Sequence, residues 1–363
     1  NNRTGRKRDY VGVLSSVFAI VIGLLVGFVI LLICNPSQAL PGFVTILTGA
    51  FTHGLKGVGQ VFYYATPIIL TGLSVGFAFK TGLFNIGTPG QFIVGAFAAV
   101  YVGIMWTGLG RIQWAVALLA AILGGALWGM VPGFLKACFN VNEVIASIMM
   151  NYIGMYMVNW IVKSYKPLFN NLRNESRNVA ATAQIPKMGM DKLFPESSVG
   201  GGILLAIAAV LIIWVILNKT TFGYELKAVG FNRDASRYAG INEKRNIIMS
   251  MVIAGAIAGM AGGLLYLAGT GKHIEIKDVL ATEGFTGISV ALLGLSHPIG
   301  VLFSGLFIAY LTAGGFYLQL FEFSTEIIDI IVAVIIYFSA FALIVKTILT
   351  RMNRKREKGD GRT

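Results

Sequence analysis

The chain has 363 residues, of which 56% are hydrophobic and only 12% charged, and its formal net charge is +13. A soluble domain would carry about a quarter charged residues, so a soluble globular fold is excluded. With no soluble basic domain in view, the positive excess points to anchoring beside anionic lipid rather than to nucleic-acid binding.

Apolar runs of about twenty residues recur along the chain, as an all-α polytopic membrane protein requires. About ten spans are expected, at roughly 11–33, 59–79, 90–106, 113–133, 143–163, 200–217, 247–268, 283–296, 299–318 and 326–346. The third and eighth are the weakest. The first follows Arg3, Arg6, Lys7 and Arg8 in a basic stretch, residues 1–10, as a signal peptide would. It is too long for a signal h-region and lacks a small-x-small cleavage site, so it reads as a retained anchor. Cys34 and Cys138 fall at span ends on opposite faces, too far apart for a disulfide, and read as packing residues.

Between the second and third spans, residues 82–91 read GLFNIGTPGQ. One reading is a tight turn at the water boundary marked by Lys80. The other is backbone that leaves the helical pattern at membrane depth, which is tolerated only against protein or a cavity and points to a substrate route. The fifth span begins VNEVIASIMMNYIGMYMVNW at residue 141. Glu143, Ser147, Asn151, Met155 and Asn159 recur every four residues and share one helix face, which must turn inward because amides in hydrocarbon are costly. Asn151 and Asn159 can be interhelical glue or can line a polar path. Asn142 and Glu143 also suit an N-cap and a helix-dipole partner.

Residues 164–198 form a long polar loop, a partner surface or a flexible insertion. Residues 218–246 hold six basic and three acidic residues among Phe222, Tyr224, Leu226, Phe231, Tyr238 and Ile241. Arg233–Tyr238 has short-helix character and Gly240 suits its stop. A docking element and a helix lying on lipid are the two readings. The last residues, 347–363, are basic again, carrying Arg351, Arg354, Lys355 and Arg356. Both termini are therefore expected in the cytoplasm of a cell-membrane protein, with 164–198 outside and 218–246 inside.

No Walker A sequence is present: before Gly271-Lys272 the first Gly is replaced by Tyr266, and His273 replaces the Ser/Thr. His53, His273 and His297 make no metal-ligand spacing. Glu143, Glu283, Glu326 and Asp329 all fall near span ends, so no mid-span acid offers the relay of a pump.

Four of these segments together resemble the membrane permeases of ABC importers, in the branch shared by branched-chain amino acid, ribose-type sugar and nucleoside systems. GLFNIGTPGQ is similar to that branch's GxFNIGxEGQ, with Pro89 in place of the usual Glu. NEVIASIMMNY at 142–152 is similar to NEVIxxIMxNY of the nucleoside members, and GYELKAVGFNRDASRYAGI at 223–241 to the coupling segment. ISVALLG at 288–294 resembles the family's IAVALLG. The resemblance implies a type II permease fold, one transmembrane domain over 1–363, and no enzymatic activity in this chain. It implies a second permease, often a non-identical paralogue, and an extracellular substrate-binding lipoprotein. ATP and Mg would be bound on a separate cytoplasmic ATPase, with no cofactor in this chain. Purine nucleosides are the implied substrate, with simple sugars or branched-chain amino acids as the alternative. The implied path residues are Phe84, Asn85, Gln91, Phe92, Asn151 and Tyr152, and the implied coupling residues are Arg233, Asp234, Arg237, Tyr238, Gly240 and Ile241. A stand-alone secondary transporter and a membrane-embedded enzyme are the readings from other classes. A faint internal echo, TGLSV at 71–75 and TGISV at 286–290, is compatible with related halves or with chance.

Overall fold

The computed structural model describes residues 2–324 and most of 326–338. The chain runs through α1 (Asn2–Cys34), α2 (Ala39–Thr52), α3 (Gly54–Lys80), α4 (Thr88–Met105), α5 (Gln113–Phe139) and α6 (Glu143–Ser164). A two-residue pair, β1 (Phe169–Asn170) with β2 (Glu175–Ser176), and a short α7 (Met190–Leu193) follow. Then come α8 (Gly202–Lys219), α9 (Thr221–Phe231), α10 (Arg233–Tyr238), α11 (Glu243–Tyr266), α12 (Thr282–Leu293) and α13 (Pro298–Phe316).

Among the described residues, seven helices are long and apolar enough to cross a membrane, and three shorter apolar ones accompany them. The fold is the expected polytopic helical one, with two refinements. α2 is a 14-residue helix, about 21 Å long, where a connection was expected. The eighth expected span is the 12-residue α12, about 18 Å, which stops at Gly294 and turns into α13. Neither has the length to cross, and a hydropathy window cannot distinguish them from a span fragment. Most of the tenth expected span and the basic tail lie outside the described residues.

Packing at the centre is backbone on backbone. A Cβ on Gly255 would stand 2.3 Å from the Gly125 carbonyl oxygen, and one on Gly259 would stand 2.2 Å from that of Ala121. Small residues thus bring α5 and α11 into direct contact, the usual way membrane helices associate without a hydrophobic driving force. The echoing segments also meet: Gly72 faces Val290 and Gly287 faces Thr71, a reciprocal crossing of α3 and α12.

The two ends differ. At one, Thr220, Asn232 and Asn242 each cap the next helix by accepting from Gly223, Ala235 and Arg245 N–H groups. Three caps in 29 residues divide the long polar loop into α9, α10 and the start of α11. At the other end, residues 165–201 are pinned down as a cap: Ser176 N–H donates to Ile274 O, Ala180 N–H to Gly103 O and Ile185 N–H to Leu267 O. Leu168, Ala183 and Ile185 are buried beneath it. Backbone bonding to three neighbouring segments makes it an ordered element of the fold. Cys34 and Cys138 are free and exposed.

Candidate functional site

Gly82–Gln91 joins both readings made from its sequence. α3 ends at Lys80 and the chain turns at Gly82, whose φ of 72° suits glycine. The next residues climb back inside the bundle. Asn85 Nδ2 donates to Ser74 Oγ at 3.3 Å, and Ser74 lies six residues, about 9 Å, above Lys80. α4 therefore begins well inside the helical layer, with Pro89 in its first turn, where a missing N–H costs nothing.

An amide clamp satisfies this irregular backbone. Asn85 and Gln91 exchange reciprocal side-chain bonds at 2.9 and 3.1 Å. Asn151 accepts from Gly90 N–H at 2.8 Å and donates to Ile86 O at 2.9 Å. All three amides are buried, as is Phe92. The face of α6 that carries Glu143, Ser147, Asn151, Met155 and Asn159 is turned inward as expected, and Asn142 caps the helix, accepting from Val144 N–H at 2.9 Å. Phe84 is half-buried and stacks on Phe79 at 5.3 Å. Tyr152, about 100° round α6 from Asn151, is 46% exposed. The fold therefore gathers Asn85, Gln91 and Asn151 into one bonded unit, with Phe92 buried beside it, and leaves Tyr152 apart. Asn159 donates to Lys277 O at 3.0 Å and lines a cavity.

That cavity, of about 250 Å³, adjoins another of about 650 Å³. Lys272, Thr282 and Glu283 line both. Lys272 Nζ bonds Glu283 Oε1 at 3.0 Å, and beside them Tyr63 and Thr270 share a hydroxyl bond of 3.0 Å. Tyr64, Phe285, Thr286, Ser289 and Asp329 are among the other residues that line the larger cavity. Gly287 packs on Thr71, about 13 Å up α3 from Lys80, and Glu283 lies one turn further, near mid-height of the roughly 40 Å helix. The 3.0 Å contact makes Lys272 and Glu283 an ion pair in the shared wall of the two cavities. These residues were missed because Lys272 falls in a loop and Glu283 at a span edge. The readable signal was a Lys and a Glu flanking one short connection.

At the far end, α10 is the expected short helix. Gly240 has φ 83°, and Ile241 N–H returns to Ser236 O at 3.0 Å, a left-handed helix stop. Arg233 is turned inward: it bonds Glu243 at 2.6 Å and reaches Asn140 at 3.4 Å, tying α10 to α11 and to the α5–α6 corner. Asp234, Arg237 and Tyr238 face outward, and Ile241 is half-buried. Tyr224 and Phe231, 71% and 90% exposed, line a groove of about 650 Å³, and Tyr238 is 94% exposed outside it. Gly230 lies against Lys80 and Gly82, so this platform touches the broken segment directly.

A helical bundle with a polar cavity near mid-height and an apolar-rimmed platform at one end has the construction of a membrane transport permease. A family model described as branched-chain amino acid transport system / permease component matches residues 57–340, and the chain belongs to that family. It is 38% identical over 340 residues to the guanosine ABC transporter permease protein NupP of Bacillus subtilis, covering 93% of this chain and 96% of that one. It is 34% identical over 357 residues to the nucleoside ABC transporter permease protein NupB of Lactococcus lactis, covering 97% and 95%. A second Bacillus subtilis guanosine permease, NupQ, is 29% identical over 255 residues, 68% of this chain and 77% of that one. No solved structure matches the chain.

Proposed function

We propose that this chain is a permease subunit of an ATP-driven importer of nucleosides, purine nucleosides above all. The observation that carries the reading is the cavity around Lys272 and Glu283. It offers aromatic faces, hydroxyls and a charged pair, as a base and its ribose require, near mid-height of the bundle and away from the platform. Two guanosine permeases from one organism support a pairing with a second, non-identical permease. Tyr152, pointing outward from α6, is placed to meet it. A cytoplasmic ATPase docks on α9–α10 through Tyr238, Ile241 and the exposed charges of Asp234 and Arg237, and binds the ATP and Mg. An extracellular lipoprotein delivers substrate to the cap. The basic stretch at residues 3–8 supports a cytoplasmic N-terminus in the cell membrane.

In this reading Asn85, Gln91 and Asn151 hold the broken segment in shape, with Phe84 and Phe92 packed about it. Because Gly82 abuts Gly230, movement of the platform reaches the broken segment without a long relay. The test is uptake of labelled guanosine by cells with and without the gene, and with the gene restored. Loss and recovery of guanosine uptake, with leucine and ribose uptake unchanged, is the expected result. Unchanged guanosine uptake in the deletion overturns it.

A further inference from the structure

Lys272 and Glu283 place a hydrogen-bond donor 3.0 Å from an acceptor on the shared wall of the two cavities. The ammonium only donates and the carboxylate only accepts. Glu283 Oε2 accepts a long contact, 3.4 Å, from its neighbour Thr282. The order along the wall is therefore donor, acceptor, acceptor.

That order is the complement of one class of base. A 6-oxopurine shows an acceptor at O6, a donor at N1–H and, in guanine, a second donor at the 2-amino group. A 6-aminopurine shows a donor and then an acceptor, which would set its amino group against the ammonium and its ring nitrogen against the carboxylate. We propose that the Lys272–Glu283 pair reads the base edge of 6-oxopurine nucleosides, with Lys272 donating to O6 and Glu283 accepting from N1–H and the 2-amino group. The pair opens to admit the edge while both charges keep a partner, so neither is stranded in a half-buried site. Tyr64 and Phe285 offer apolar faces to the ring, and Ser289 and Thr286 offer hydroxyls to the ribose. The larger cavity lies within the roughly 300–1,000 Å³ of small-molecule sites. Glu283 and Lys272 thus determine specificity in the permease itself, downstream of any selection by the delivering protein. This inference rests on the nucleoside reading above.

The experiment uses the purified permease–ATPase complex without the lipoprotein, and measures the rise in melting temperature with guanosine, inosine, adenosine or cytidine. A ligand that binds the folded state raises it. Guanosine and inosine are expected to raise it by about 2 °C or more, and half-maximal shifts with adenosine should need at least about tenfold more ligand. Glu283→Gln should abolish that discrimination, because a carboxamide can present either a donor or an acceptor. Lys272→Met should weaken guanosine by about tenfold. A purely structural pair would lower the ligand-free melting temperature in both variants and leave the order of nucleosides intact, which overturns the proposal. So does a wild-type complex that responds equally to inosine and adenosine, or to neither. The two failures are separable: guanosine uptake that depends on the gene, with no discrimination in the complex, removes this inference and leaves the nucleoside reading standing.

Discussion

Asn151 uses both ends of its amide on backbone that no helix satisfies, taking the Gly90 N–H and giving to the Ile86 carbonyl. Asn151→Leu leaves both groups buried and unpaired, at about 1–3 kcal/mol each. The expected result is a clear fall in detergent melting temperature, with uptake per folded complex less affected. Asn159→Leu removes one exposed bond to Lys277 O, so its effect on melting should be smaller and its effect on uptake larger. Initial uptake paired with melting temperature for each variant decides between them; a larger loss of stability in Asn159→Leu would contradict this assignment. That Asn85 and Asn151 turn inward was legible in the sequence, because lipid cannot satisfy an amide. Their partners were not legible, since the extended climb of 82–88 sets which groups meet. Lys272 and Glu283 were hidden for a related reason: their approach depends on a loop folding back over α12, and no helical spacing encodes it.

α10 illustrates an element whose stop at Gly240 could be read from the sequence, whereas its start at the Asn232 cap emerges only in the structure. Nothing lies near the position of a Cβ on Gly240, but its φ of 83° is one that a β-branched residue resists. Gly240→Val should therefore cost about 1–2 kcal/mol locally. The permease should stay folded while its affinity for the ATPase falls about tenfold, the equivalent of that strain. Co-purification across a range of ATPase concentrations measures this, and unchanged assembly would place the docking surface elsewhere. Gly255 fails differently, because a side chain there meets the backbone of α5. Gly255→Leu should destabilise by about 3 kcal/mol or more, lowering the yield of folded protein in detergent; a normally melting Gly255→Leu protein would contradict the contact. The sequence left α2 unread and took α12 for a weak span, because length, not apolarity, separates a span from a half-helix. Both are apolar enough on average to pass for part of a span, although α12 carries Glu283 and its hydroxyl neighbours, and the turns after Thr52 and Leu293 cut them short.

Across the whole molecule, the two ends are built for different encounters. The platform offers exposed aromatics, whereas the cap offers charge, with Arg173 74% exposed and only a 3.9 Å contact to Glu175. Arg177 instead donates to Phe169 O and holds the cap together. Arg173→Glu should raise the lipoprotein concentration needed for half-maximal uptake at low salt, and the difference from wild type should shrink as the Debye length falls to about 3 Å near 1 M. Equal lipoprotein dependence at low salt would make Arg173 a solvated charge. The architecture joins these ends through α3, α4, α5 and α11, and no described residue of the chain supplies a nucleotide loop. With the proposed ATPase docked at the platform, transport should depend on energy delivered there. The most direct measurement is guanosine accumulation in proteoliposomes holding the permease pair and lipoprotein, with and without ATPase and ATP, and separately under proton or sodium gradients. Accumulation only with ATPase and ATP is the expected result; gradient-driven accumulation by the permeases alone would contradict it.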